Sequence, residues 1–352
     1  MISPRLMYDG RPVLWQNLDS DSSAVFVKFF SGERYNFFGL INGQDTSGVY
    51  AGLNTAGFAI VFSSLKESSP DSAQHREPLL LKQALSLCGR LEDFERLLDS
   101  TSVSIGANTS FACMDAFGAQ QLYESGKKAR VPFDLKTSPD GFLVRANFHF
   151  ADPQTANDSF WRYHRAKALL AKQRGEKKLH HHTIVKSIAR DLTTMASNPY
   201  PLPDQRNSGY HRCDNSINQY NSVSCVVIHG VRPGESPDFS TLWMIPGEPI
   251  CGIAVPLWPA TTQVPIECQR NPGSLNSLYM EIERELYNQT GSLKQLDTRN
   301  YLEIKSRLNE VENKVFAETR KALARWRNQD DYLQDMTAFQ ASTAAFIYNS
   351  LK

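Results

Sequence analysis

The residue types able to do chemistry are scattered rather than gathered in a standard signature. No Gly-rich phosphate loop, Gly-x-Ser-x-Gly elbow or His-Glu-x-x-His occurs in the 352 residues. The run His180-His181-His182 invites a metal reading. Consecutive helical residues, however, point about 100° apart and cannot converge on one ion, so a solvated basic helix start is expected. His211-x-Cys213 beside Asp214 sits in a loop without a second pair of ligands, which argues against zinc. Cys88, Cys113, Cys225, Cys251 and Cys268 lie in or beside apolar runs and read as small buried hydrophobes. Neither a metal nor a cofactor is expected.

What remains is an ordered set of segments. Asp9-Gly-Arg-Pro-Val-Leu-Trp-Gln-Asn-Leu-Asp19 is a turn followed by a strand that ends in Asn17-x-Asp19. Val49-Tyr-Ala-Gly-Leu-Asn-Thr-Ala-Gly-Phe-Ala-Ile60 comes next, with Asn54 at its centre. Asn108-Thr-Ser-Phe-Ala-Cys-Met-Asp-Ala-Phe-Gly118 leads into Tyr123-Glu124, and Val144-Arg-Ala-Asn-Phe-His-Phe150 follows. Taken singly, Asp19 and Asn147 read as turn or strand-end residues bonding their own backbone. Taken together and in this order, the segments resemble the choloylglycine hydrolase and penicillin acyltransferase-like families of N-terminal nucleophile hydrolases. Ser159-x-x-Arg162, Ile217 to Gly230 and Trp243 to Pro256 extend the likeness, which spans roughly residues 9 to 260.

The resemblance implies an α+β fold, a four-layer αββα sandwich with two stacked antiparallel sheets. It also implies hydrolysis of a linear, non-peptide amide C–N bond through a thioester on an N-terminal cysteine. There the free α-amine, with an ordinary pKa of about 7.7–8.0, takes the thiol proton, so one residue is both nucleophile and base. By position Asp19 would orient that amine and thiol. Asn147 would donate its amide to the oxyanion. Gln16, Asn17, Asn54 and Asn108 are further candidates for oxyanion or substrate contacts, and the partner implied is a small acyl-amide.

The sequence also departs from the family. Gln16 stands where the family has Arg, and so brings hydrogen bonds without charge. Thr55 replaces a Glu, and Thr-Asn-His has become Ala146-Asn147-Phe148 with His149 one step on. The Ser-rich strand, Asn221-Ser-Val-Ser-Cys225, lacks an Arg. No Cys precedes Cys88, so the chain holds no nucleophile of the family's kind, while family spacing puts one between Met1 and a few residues before it. Ser3 is the only hydroxyl nearby. The expectation is an internal start, with a Cys and a leader peptide just upstream. A leader would make the protein secreted or periplasmic; without one, the cytoplasm is expected. Two other readings stand beside the hydrolase. One is a catalytically inactive protein of the same fold that binds an acyl-amide ligand, and the other is an α+β interaction protein with chance motif matches.

The elements that must position these residues follow from pattern. Short β-branched and aromatic runs at 13–15, 24–30, 35–41, 49–52 and 58–62, punctuated by Asp9-Gly10, Ser31-Gly32 and Asn42-Gly43, read as one antiparallel meander. A helical pair is expected at about 77–99. Strands should follow at Asn108 to Met114, Gln121 to Glu124 and Phe142 to Phe148, then two helical segments over 158–195. The Pro-rich stretch near 199–209 reads as a loop, after which Ser222 to His229, Thr241 to Ile245 and Gly252 to Val255 return to strand. From 275 to 350 the chain reads as mostly helical, most clearly at 298–327. Strands and helices in blocks, without βαβ alternation, indicate a single α+β domain over 1–352. Trp15, Phe29, Phe30, Tyr35, Phe37 and Phe38 could line an apolar pocket, though aromatic strands are usually core. With 41% hydrophobic residues and a net charge of +1, bulk charge does not call for nucleic acid. No apolar run approaches a membrane span, and the near-zero charge permits self-association.

Overall fold

Side-chain alternation sorts the early strands onto two faces. The computed structural model describes residues 1–65, 76–100, 109–125, 130–148, 150, 159–177, 179–200, 209–290 and 293–352. It is α+β with antiparallel sheets. The first strand, β1 (Val13–Asp19), does not join the meander expected from the sequence. The meander is built from β2 (Val25–Phe30), β3 (Phe37–Asn42), β4 (Ala51–Asn54), β5 (Ala59–Ser64), β6 (Thr109–Met114), β7 (Gln120–Ser125) and β8 (Arg130–Asp134), each paired with the next. After the two-residue β9 (Tyr210–His211), β10 (Ser222–His229), β11 (Thr241–Ile245) and β12 (Val255–Leu257) form a second sheet, and β1 lies at its edge. The register pairs Val13 with His229 and Asp19 with Ser222, with an irregularity between Leu18 and Asp19. Sequence neighbours gave no hint of this pairing, because β10 lies some two hundred residues away.

Period-two burial then places the core. Val25, Val27, Leu40 and Leu53 share a cluster with Leu14 of β1 and with Val226 and Ile228 of β10. Phe26, Ile41, Ile60, Phe111 and Tyr123 instead face α1 (Glu77–Leu87) and α2 (Leu91–Ser100). Gly52 is where α1 comes closest: a Cβ there would meet Leu85 Cδ1 at 2.3 Å. The two helical segments expected over 158–195 are α3 (Ser159–Gly175) and a single turn, α4 (His181–Thr183), that continues as a π-helical turn over Ile184–Ile188. The C-terminal part holds α5 (Leu275–Leu286), α6 (Thr298–Trp326) and α7 (Leu333–Leu351). It is interrupted by a hairpin that the helical reading missed, β13 (Tyr287–Thr290) and β14 (Leu293–Asp297), to which β9 adds a third strand. Asp297 caps α6, accepting from Arg299 N and Asn300 N. A buried pair clips α6 to the second sheet's end: Arg190 donates to both carboxylate oxygens of Glu312 at 2.9 and 2.7 Å. The same guanidinium reaches Pro249 O and Gly252 O.

Two expected strands are corrected. Gly252 to Val255 is strand only from Val255, because the preceding backbone is bonded by side chains. Arg190 takes Gly252 O, and the Tyr279 hydroxyl bonds both N and O of Ile253. The stretch 142–148 is irregular beyond one bridge from Phe142 to Ile2. Its side chains turn to different walls and so cannot keep a two-residue period. Arg145 lies over the Phe133 and Phe150 rings, while Asn147 reaches Ser64. Among the described residues, no helix is long and apolar enough to cross a membrane.

Candidate functional site

The start of the chain is held between β1 and the 142–148 stretch. Ile2 and Val13 exchange backbone hydrogen bonds at 2.8 and 3.1 Å, with Gly10 at φ +67° making the turn between them. Met1 and Leu143 likewise bond each other's backbone, and the Met1 amine donates to Leu143 O at 2.9 Å. Burial, helped by the Arg145 charge, pushes the pKa of that amine down to about 5. Met1 thereby lines a cavity of about 720 Å³, whose walls also include β1, the ends of β5 and β6, the 143–147 stretch and α3. Trp15, Tyr50 and Phe62 give it an aromatic side, and Ser63, Ser64, Asp19, Asn147, Arg145 and Arg162 a polar one. Of the aromatics expected from sequence, Trp15 alone is on the wall.

Asp19 and Asn147 meet at one guanidinium. Arg162 of α3 donates through Nη1 to Asp19 Oδ2 and through Nη2 to Asn147 Oδ1, both at 2.6 Å. Asp19 also accepts from the Gln219 amide and the Ser222 hydroxyl, both at 2.6 Å. Three donors therefore fix the carboxylate on the cavity wall. With its oxygen held by Arg162, the Asn147 amide nitrogen donates to Ser64 O at 2.7 Å and to Ser63 Oγ at 3.3 Å. A substrate oxyanion would have to compete with those acceptors. Sequence reasoning noted Ser159-x-x-Arg162 without giving Arg162 a role. Spacing shows where a helix puts a residue, but not which distant loop its charge will meet.

The other candidates divide. Gln16 is on the wall; its amide donates to Phe62 O, and its Oε1 is buried without a hydrogen-bond partner among the described residues. Asn17 borders the cavity, but its amide donates to Ala189 O at 2.8 Å and Ile217 O at 3.1 Å, while its oxygen accepts from the Trp15 indole at 3.0 Å. It ties β1 to the chain beneath. Asn54 is off the wall altogether. Its side chain bonds Leu85 O and Cys88 O and accepts from Ala56 N and Phe58 N, so it fastens the β4–β5 turn to the end of α1. Asn108 lies outside the described residues, as do His149 and most of the Pro-rich stretch.

Arg145 was not singled out from sequence. Its guanidinium sits 3.8 Å from Glu124 and 4.3 Å from the Phe133 ring centroid, and its Nε and Nη2 have no hydrogen-bond partner among the described residues. All six cysteines are free and buried, and none lines the cavity. Burial pushes the Cys88 and Cys225 thiols up to about 12, which suits structural rather than nucleophilic sulfur.

The histidine run differs from the solvated helix start that was expected. His181 turns inward and stacks between His229 at 4.2 Å and Trp243 at 5.3 Å. A turn that enters a π-helical segment packs one of three consecutive side chains against the sheet and leaves its neighbours nearer the surface.

No family model matches the sequence, and no curated protein matches it. Solved structures do. Penicillin V acylase from Agrobacterium tumefaciens is similar over 68% of this chain and 84% of its own, at 16% identity and a TM-score of 0.39. A variant of conjugated bile acid hydrolase from Clostridium perfringens is similar over 68% of this chain and 86% of its own, at 11% identity and a TM-score of 0.39. For the Caenorhabditis elegans ortholog of N-acylethanolamine-hydrolyzing acid amidase the shares are 66% and 90%, the identity 12% and the TM-score 0.40. The likeness is distant.

Proposed function

We propose that the cavity is the acyl-amide site of a hydrolase of linear amide C–N bonds, on a single domain with the αββα layering of the N-terminal nucleophile hydrolases. One observation carries the reading. Asp19 and Asn147, taken from distant motifs by resemblance alone, share the Arg162 guanidinium on the wall of a ligand-sized cavity that the first residue also lines. The two faces of the meander sheet support the layering, since one packs on α1 and α2 and the other shares a core with the second sheet.

In this reading the acyl chain lies along Trp15, Tyr50 and Phe62, and the scissile carbonyl lies beside Asn147. Attack on that carbonyl puts negative charge on its oxygen, and the Asn147 amide stabilises it once it releases Ser64 O. Asp19, held by three donors at the end of β1, is preorganised to orient the attacking water on the cavity wall. Water adds to the carbonyl carbon, and as the C–N bond breaks its proton passes to the leaving nitrogen, so the amine and the carboxylic acid are released together.

A second reading, binding of the same ligand without cleavage, is favoured by two specific observations. No cysteine lines the cavity, and the Asn147 amide is already bonded to Ser63 and Ser64. Amine release and ligand-induced thermal stabilisation, measured with penicillin V, a conjugated bile acid and an N-acylethanolamine, separate the two. Release that D19N abolishes supports the hydrolase. Stabilisation without release supports the binding protein, and neither response to any of the three contradicts both.

A further inference from the structure

Resting on the acyl-amide reading of the cavity, we infer that the Gln16 side-chain oxygen accepts the N–H of the bound amide, so that the cavity takes secondary amides in preference to esters and tertiary amides. β1 alternates its faces, which puts Leu14, Gln16 and Leu18 toward the meander sheet. From there the Gln16 amide reaches across to β5 and donates through Nε2 to Phe62 O. That bond fixes which way the amide points. Turned over, Oε1 would stand against the Phe62 carbonyl oxygen, and neither has a proton to give. Oε1 is therefore the atom left over, buried and without a hydrogen-bond partner among the described residues.

The meander sheet places Gln16 beside Asn147. Phe58 O accepts from Asn54 N across the β4–β5 turn, and in an antiparallel pair every second carbonyl then faces the same partner strand. By that alternation the carbonyls of residues 60, 62 and 64 of β5 all turn toward β4. The pairing ends at Ala51 and Val61, so Phe62 O and Ser64 O lie past the end of β4. Gln16 takes the first of these two carbonyls, and Asn147 takes the second at 2.7 Å. Two residues of strand set the anchor points roughly 7 Å apart. An amide lying between one donor and one acceptor needs a similar span: two hydrogen bonds of about 2.9 Å and the roughly 2.2 Å from its oxygen to its nitrogen.

The chemistry of the amide supplies what Oε1 lacks. A secondary amide is trans, with its C=O and N–H pointing in opposite directions. With the carbonyl turned to Asn147, as the proposed cleavage requires, the N–H points the other way, toward Gln16. An ester has an oxygen in place of that N–H and sets lone pairs against Oε1, while an N-methyl amide sets a methyl group there. Either leaves a buried acceptor unpaired, which is why a site that bonds an N–H rejects analogues without one. An acceptor also repels a negative oxygen, so Gln16 meets the substrate nitrogen and not the oxyanion.

The test titrates the full chain with N-octanoylethanolamine, its ester isostere 2-hydroxyethyl octanoate and N-methyl-N-octanoylethanolamine, with affinities from calorimetry. The secondary amide should bind at least about tenfold more tightly than either analogue. Gln16→Met, which keeps the length and removes the acceptor, should bring the three affinities within about threefold of one another. In ¹³C-labelled wild type the Gln16 Cδ resonance should move with the secondary amide and stay put with the ester, and this decides if the variant fails to fold. Equal binding of the three by the wild type, an undiminished preference in the folded variant, or a Cδ resonance unmoved by the bound amide overturns the inference and leaves the acyl-amide reading standing. Binding of none of the three overturns the inference too, and the acyl-amide reading falls with it only if penicillin V and the conjugated bile acid also fail to bind.

Discussion

Asp19 Oδ2 accepts from Arg162 Nη1 at 2.6 Å across 143 residues of chain, and the other arm of the same guanidinium holds Asn147. Both side chains are largely removed from solvent, so the pair is more than a surface contact. Arg162→Met should lower stability by about 1–3 kcal/mol in urea denaturation, because a mostly buried carboxylate and an amide oxygen each lose a donor. Arg162→Lys should recover only part of that loss, since an ammonium is a point charge without the two-armed fork. Ligand binding in the cavity should fall in both variants.

Asn54 gives the contrasting case. Its four bonds all go to backbone, two to the end of α1 and two within its own turn. Asn54→Ala should therefore cost about 1–3 kcal/mol of stability and leave affinity for acyl-amide ligands unchanged at temperatures where the variant is folded. Thermal unfolding with and without ligand makes the comparison. A folded variant whose affinity alone drops would return Asn54 to the site.

Local pattern made the strands from Val25 to Ser64 and the pairs Ser222–His229 and Thr241–Ile245 legible, because alternation and turn residues are properties of short windows. Sheet membership was not legible. Nothing near Val13 says that it pairs with His229, so β1 looked like the first strand of the meander. Asp19 and Asn147 could be named from ordered motifs, while Arg162, which joins them, could not. The inward turn of His181 was hidden for a related reason: a rule for helices does not foresee a partner waiting on another strand.

Glu248 predicts a pH dependence of stability. Burial pushes its carboxyl up to about 8, reinforced by the charge of Glu283 and opposed by the Tyr287 hydroxyl, Lys294 and the Asn218 amide. The folded state therefore keeps a proton that the unfolded state gives up near the ordinary value of 4.5. The stabilisation is complete below that value and is lost as pH rises through the folded value, at about 1.4 kcal/mol per unit between them. Glu248→Gln, a neutral isostere, should flatten the fall between pH 5 and 8 in denaturant titrations. An equal slope in the two proteins would show that Glu248 ionises freely.

The Arg190–Glu312 pair should be costly to break from one side. Glu312 is fully buried, and Arg190 also serves two backbone carbonyls. Glu312→Gln leaves a buried guanidinium without its counter-charge and should destabilise by about 3–5 kcal/mol. Loosening of α6 should appear as faster amide exchange around Leu308 and Val315, both buried in the same core cluster as the second sheet.

The central claim is that the cavity takes an acyl-amide, and the Trp15 indole tests it most directly. Its N–H donates to Asn17 at 3.0 Å on the cavity wall, whereas the Trp326 indole bonds Asp335 among the C-terminal helices. In protein labelled at tryptophan nitrogen, with Trp15 assigned through a Trp15→Phe variant, an N-acyl amide is titrated in. The account predicts that the Trp15 resonance shifts saturably while that of Trp326 does not move. An unmoved Trp15 resonance, with the ligand bound or not, would contradict it.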